Sequence, residues 1–308
     1  EKISTMEKWH MTELIIPEPN EVFSVEVKGG TEIIVRRYFN SCRPCLLLSH
    51  GNGFAIDAYS PFWGQLRSEF ELCVYDQRHH GHNQPSSSND ADFDLFADDL
   101  DKIISKVRQI ITDVSIYGVY HSLSAVASLL HAKNYKNHLD ALVLFDPPLQ
   151  PPKDHKLYSI AHNFEMKLSD WAKNRQSQFT SPAELAHQFR KSRSLSGWVD
   201  GAHELMAKSV LKETGSNWEL ICPPDIESQI YRHNASLILW DFFENQTVPI
   251  ALIIADPSHP AEQAPAKVCS SLVKKSSIPF ITISGTTHLL QIEKPEECRV
   301  ALKKLLRE

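Results

Sequence analysis

The chain has 308 residues, 42% of them hydrophobic and 23% charged, with a formal net charge of −6. That length and balance suit a folded protein with one large core, or a core carrying an insertion. An acidic surplus without a basic cluster argues against a nucleic-acid or anionic-membrane surface, and no apolar run reaches the length of a membrane span.

From the start, "EKISTMEKWHMTEL" has no apolar leader core, and the closing "LLRE" carries no sorting or lipidation pattern, so the expectation is a cytoplasmic protein. Residues 22–39 read as two β-segments turning at Gly29-Gly30, a hairpin signal. Next comes Cys42-Arg43-Pro44-Cys45. A redox pair of this spacing sits at a helix N-terminus, where the dipole lowers the thiol pKa. This one runs into the strand-like Leu46-Leu47-Leu48, so two structural cysteines are expected.

Short apolar runs of the kind buried parallel strands require follow at 45–50, 70–76, 114–120, 141–146, 248–256 and 279–285. Helix-period segments lie between them. Residues 92–111 have acids early and cations late, as a helix dipole favours, and 84–90 form a short polar loop. The final "PEECRVALKKLLRE" is a helix with Pro295 in its first turn. The alternation predicts a doubly wound, mainly parallel sheet. It is broken at 149–246, which opens with "PPLQPPKDH" and then shows only helical periodicity. The division expected is a core of 1–148 and 247–308 with an all-helical cap at 149–246.

Ligands of open parallel sheets bind at the C-terminal strand ends. The residues expected there are the turn His50-Gly51-Asn52-Gly53-Phe54, the loop Asp76-Gln77-Arg78-His79-His80-Gly81-His82, then Ser122, Asp146, Asp256 and His288. A serine hydroxyl becomes a nucleophile when an imidazole takes its proton, and a carboxylate then holds that imidazole in the right tautomer. Backbone N–H groups of the glycine-bearing turn and of Leu123, at a helix start, can receive a developing oxyanion.

Against this stands the elbow itself. A strand–serine–helix turn ordinarily reads G-x-S-x-G; here it reads Tyr120-His121-Ser122-Leu123-Ser124. Ser122 is also well placed as a plain helix N-cap. Three histidines at 79, 80 and 82 cannot converge on one ion within a regular element, and they are expected as solvated loop or pocket rim rather than as metal ligands. Phe54, Trp63, Trp171, Trp198 and Trp218 either line an acyl pocket or form core.

Taken in order, "LLLSHGNGF", "YDQRHHGHN", "YHSLSA" and "GTTHLLQIEKPEE" resemble the α/β-hydrolase superfamily with a helical cap. The resemblance implies the α/β-hydrolase fold, Ser122 as nucleophile, His288 as base, and Asn52, Gly53 and Leu123 as oxyanion donors, with Phe54 and His121 at the substrate. It leaves the acid open. Most members carry it after the seventh strand, where Asp256 is the available carboxylate. A minority, including some with an H-x-N-G-F turn, carry it after the sixth, where Asp146 precedes Pro147-Pro148. Asp146 is preferred, with Asp256 the alternative. The loop usually reads D-x-R-G-x-G, so His79 stands in a glycine's place. The implied activity is cofactor-independent hydrolysis of a small-molecule acyl ester or thioester, with no metal. The alternatives are a ligand receptor or a lyase on the same fold.

Overall fold

In a computed structural model, the structure describes residues 13–40, 42–83, 90–136, 139–261 and 264–307. Most of the stretch expected as a polar loop, 84–89, and most of the N-terminal segment, 1–12, lie outside the described residues.

The expected hairpin is formed by β1 (Glu21–Val27) and β2 (Thr31–Tyr38), paired antiparallel around Gly29 and Gly30. Both glycines have positive φ, +86° and +69°, which a residue with Cβ resists. The alternation follows the pleat: Val25, Val27, Ile33 and Val35 are buried. The next elements are β3 (Cys45–Ser49), a 3-10 turn (Ile56–Tyr59), α1 (Ser60–Trp63), β4 (Glu71–Tyr75), α2 (Phe93–Ile110), β5 (Ile116–His121), α3 (Leu123–Asn134) and β6 (Ala141–Phe145). Helix α2 starts where expected, because Asp92 accepts a hydrogen bond from Leu95 N–H at 2.8 Å. Cys42 is exposed and Cys45 is buried on β3, so they lie in different environments, both as free thiols.

The inserted stretch holds α4 (Tyr158–Asn174), β7 (Gln178–Phe179), α5 (Pro182–Lys191), α6 (Ala202–Val210), β8 (Leu211–Thr214), β9 (Asn217–Leu220) and α7 (Pro224–Asn234). It is therefore not all helical. Strands β7, β9 and β8 form a small antiparallel sheet, too short and too mixed in polarity to show a strand period. After it come β10 (Ile250–Ala255), α8 (Ala264–Val273), β11 (Phe280–Ile283), α9 (Leu290–Glu293) and α10 (Pro295–Leu305).

The main sheet has the order β1-β2-β4-β3-β5-β6-β10-β11 and is parallel from β4 to β11. Neighbouring residues of β3 feed opposite faces. Cys45 and Leu47 pack with α2, α3 and α8, while Leu46 and Leu48 pack with α1, α9 and α10. Both faces are thus covered, which is why these strands are continuous apolar runs. The hairpin is tied in by Arg78, fully buried, whose guanidinium donates to both oxygens of Asp99 (2.8 and 2.6 Å) and to Lys28 O. No helix among the described residues is long and apolar enough to cross a membrane.

Glu165 of α4 is 2% exposed. Burial pushes its carboxyl up from an ordinary 4.5 to about 8, opposed by a hydrogen bond with Asn234. Between those values the folded state keeps a proton that the unfolded chain has lost. Stability from this group is therefore whole below about pH 4.5 and is lost as pH rises towards 8. Glu165→Gln is expected to stabilise the protein by up to about 3 kcal/mol at pH 7 and by less than about 1 kcal/mol at pH 5. Denaturant unfolding at the two pH values measures this; an equal effect at both would contradict it.

Candidate active site

The apolar strand β5 delivers its last residue, His121, and then the backbone turns sharply. Ser122 has φ +53° and ψ −113°, a conformation rare for a residue with a side chain. It precedes α3, and Val126 N–H donates back to Ser122 O to begin the helix. No side-chain N-cap bond is made by Ser122, so its hydroxyl is not spent as a helix cap. Instead Ser122 Oγ lies 2.9 Å from His288 Nε2. On the other side of the ring, His288 Nδ1 lies 2.7 Å from Asp146 Oδ2.

Tyr120 and Ser124 stand where the elbow glycines are usually found. Tyr120 is fully buried, and its ring occupies space that a Cβ on Gly118 would need, since such a Cβ would come within 2.5 Å of the Tyr120 ring. Gly118 thus leaves room for the Tyr120 ring. Ser124 closes the turn through its hydroxyl, which accepts from His121 N–H at 3.0 Å and donates to His121 O at 2.9 Å.

Asp146 follows β6 with φ +42° and no exposed surface. Its N–H donates to Ile253 O (2.8 Å), and its Oδ1 accepts from Ala255 N–H (3.2 Å), so the neighbouring β10 orients the carboxylate. Asp256 goes elsewhere. It accepts from Gly285 N–H at 2.8 Å and from the Ser258 hydroxyl and N–H, and these bonds hold its carboxyl below the usual range. It braces the chain ahead of His288 and makes no bond to the imidazole. That chain is also held by Glu293, which accepts from Thr287 N–H at 2.7 Å. Glu293 lies within the segment GTTHLLQIEKPEE, but its partner is visible only in the fold.

The turn 50–54 lies against the elbow: a Cβ on Gly51 would sit 3.1 Å from Ser122 Cβ. Gly53 has φ +75°, yet its N–H donates to His80 Nε2 at 3.0 Å. That bond removes Gly53 from the expected oxyanion donors. Asn52 donates through Nδ2 to Glu227 O at 2.9 Å, and the Leu123 N–H opens α3, where first-turn amides have no intrahelical acceptor. The Glu227 carboxylate lies over Gly53 and is paired with Arg175 Nη1 at 2.9 Å, with both side chains nearly buried. Burial pushes the Glu227 carboxyl up, although Arg175 beside it opposes this.

Two histidine expectations change. His79 and His80 are buried rather than solvated. His80 donates from Nδ1 to Arg78 O and accepts from Gly53, and burial lowers its pKa to about 3, so it stays neutral beneath the turn. His121 has no exposed surface and both ring nitrogens are bonded within the protein, so it is not a wall of the substrate site. Phe54 is half-buried edge-on to Trp198 (6.0 Å); Trp63 is core, and Trp171 is 52% exposed beside Arg175. Among the described residues no group of His, Cys, Asp and Glu could hold a metal ion.

The model of the family described as "Serine aminopeptidase, S33" matches residues 40–202. A stretch of 93 residues is 27% identical to the "Probable lysophospholipase L2" of Haemophilus influenzae. It covers 28% of this chain and only 30% of that protein's length. Among solved structures, E-2-(acetamidomethylene)succinate hydrolase is similar with a TM-score of 0.75 and 18% identity, over 94% of this chain and 100% of that one. A thermophilic esterase from Thermogutta terrifontis follows at 0.65 and 17%, over 93% and 98%. At these identities the structures speak to the fold alone.

Proposed function

Because the chain belongs to the serine aminopeptidase S33 family of α/β-hydrolases, we propose that it hydrolyses carboxylic esters through an acyl-enzyme on Ser122. The observation that carries this reading is the unbroken chain Ser122 Oγ–His288 Nε2–His288 Nδ1–Asp146 Oδ2, at 2.9 and 2.7 Å. Ser122 attacks the acyl carbonyl while His288 takes its proton. The resulting imidazolium is held by the Asp146 carboxylate, and His288 returns the proton to the leaving alkoxide. Water then enters, is deprotonated by His288 as it adds to the acyl carbon, and the acid is released as the acyl–Oγ bond breaks and His288 returns the proton to Ser122 Oγ. The oxyanion is received by the N–H groups of Leu123 and Asn52. Residues 149–246 act as a cap on a core of 1–148 and 247–308, and Asn52 and Gly53 meet that cap through Glu227.

A receptor on the same fold would have no use for a base beside Ser122, and the 2.9 Å contact between Ser122 Oγ and His288 Nε2 favours hydrolysis over it. The leaving group is expected to be an alcohol, as in the lysophospholipid ester that the name of the Haemophilus relative implies.

Fluorophosphonate labelling of the purified protein tests this, with p-nitrophenyl esters and acyl thioesters as substrates. Labelling of wild type that vanishes in Ser122→Ala, with an initial burst on esters, is expected. A wild type that neither labels nor turns over any ester would overturn the reading, and preference for thioesters or amides would change the leaving group alone.

A further inference from the structure

His121 precedes the candidate nucleophile, yet its side chain is buried and both of its nitrogens are occupied within the protein. Nε2 lies 2.8 Å from the backbone carbonyl of His288. A carbonyl only accepts, so Nε2 carries the proton. Nδ1 of the neutral ring is then an acceptor, and Tyr59 OH lies 2.8 Å away as its donor. The Tyr59 oxygen in turn accepts from Gly51 N–H at 3.3 Å. Each proton's position follows from the one before it. The chain joins three segments far apart in sequence: the turn at Gly51, the elbow at His121 and the loop at His288.

From this geometry we infer that Tyr59 and His121 are positioning residues, which hold the His288 backbone, and with it the imidazole, in register with the oxyanion turn. The inference rests on the reading of Ser122 as nucleophile and His288 as base. The His288 carbonyl sets the tautomer, and Tyr59 supplies the donor that the buried Nδ1 then needs. Without its hydroxyl, Nδ1 is a buried acceptor with no donor, and the ring loses one of the two bonds that hold it against the His288 backbone. The rings of His121 and His288 are 4.7 Å apart, so a charge on the first would oppose the imidazolium that forms on the second. The groups facing His121 are Tyr59 from the 3-10 turn, His50 after β3, Ser122 beside it and His288. Burial, with His288 and His50 nearby, pushes the His121 pKa well below its usual value, so the ring stays neutral. Burial pushes the Tyr59 phenol up, so it keeps its proton to donate.

The test uses wild type, Tyr59→Phe, His121→Leu and His121→Gln, with kcat and KM for one ester and the rate of fluorophosphonate labelling. Absence of labelling in wild type sinks the nucleophile reading itself, before any variant is compared. With wild type labelled, Tyr59→Phe and His121→Leu are expected to lower kcat and the labelling rate by ~10-fold or more, with KM within about twofold. His121→Gln is expected to recover most of the loss, since its amide N–H reaches the place of Nε2. If Tyr59→Phe retains wild-type kcat and labelling within about twofold, or if Gln at 121 is no better than Leu, the relay is wrong. Tyr59→Phe changes no volume other than the hydroxyl, and it decides the matter should His121→Leu fail to fold.

Discussion

Asp146→Asn is expected to lower kcat for ester hydrolysis on the order of 10⁴-fold, with the protein still folded. The backbone of Asp146 has φ +42°, and Asn is among the few residues that accept that conformation readily. The variant can keep its acceptor on Ala255 N–H, the bond now made by Asp146 Oδ1. Its NH₂ then faces His288 Nδ1 where the carboxylate oxygen had been. Two donors cannot share that 2.7 Å contact, so the imidazole must shift its proton to Nε2, and Nε2 can no longer take one from Ser122. Asp256→Asn is expected to cost less than about tenfold, because Asp256 acts on the loop ahead of His288 and not on the ring. Steady-state kinetics of the two variants, with circular dichroism to confirm folding, separates them. A larger loss from Asp256→Asn would reverse the assignment of the acid.

Gly81→Ala is expected to destabilise the fold on the order of 4 kcal/mol or more. A Cβ at Gly81 would fall 2.1 Å from Asp76 Cγ and 2.2 and 2.4 Å from its two oxygens. The carboxylate has nowhere to retreat. It is 2% exposed, it accepts from Ile56 N–H at 2.8 Å and His82 N–H at 3.0 Å, and His50 Nε2 lies 3.3 Å away. Burial works against its ionisation, but His50 and the cations beyond hold it well below the usual carboxylate range. The glycine's φ of +54° adds to the cost. His79, which also has positive φ (+67°), gives the control. His79→Gly relieves backbone strain but loses a buried ring and its bond to Asp90 O, so a smaller destabilisation of about 1–3 kcal/mol is expected. Denaturant unfolding of both variants checks the pair. A Gly81→Ala protein as stable as wild type would mean that the Asp76 carboxylate is not packed as described. Because His80, between them, receives Gly53 N–H, a shifted loop also moves the turn beside Ser122.

The main sheet was legible because strands buried on both faces must be apolar throughout, and each expected run from 45 to 285 contains a strand. The inserted sheet was not. Two- and four-residue strands such as Gln178–Phe179 and Asn217–Leu220 lie below the length at which a period of two can be counted. At the site, Ser122, His288 and Asp146 could be named because strand ends converge on one rim. The choice between Asp146 and Asp256 could not be made from spacing, since both end apolar strands; the hydrogen bonds of the loop after β11 distinguish them. Gly53 was misjudged for a different reason. Its conformational freedom is real, but the direction of its N–H depends on His80, 27 residues away. Tyr59 left no local signal at all, because its partners are at 51 and 121.

The sheet order has a consequence for the chain as it is being made. Strand β6 pairs on one side with β5, already synthesised, and on the other with β10, which follows only after the whole of 149–246. At a translation rate of about 5–20 residues per second, the outer edge of Ala141–Phe145 waits for about 5–20 s before Ile250–Ala255 emerges. During that interval a row of unpaired amides and carbonyls, flanked by Leu, Val and Phe, is open to mispairing with other nascent chains. Slower elongation through the insertion should therefore lengthen this exposure and reduce the soluble yield.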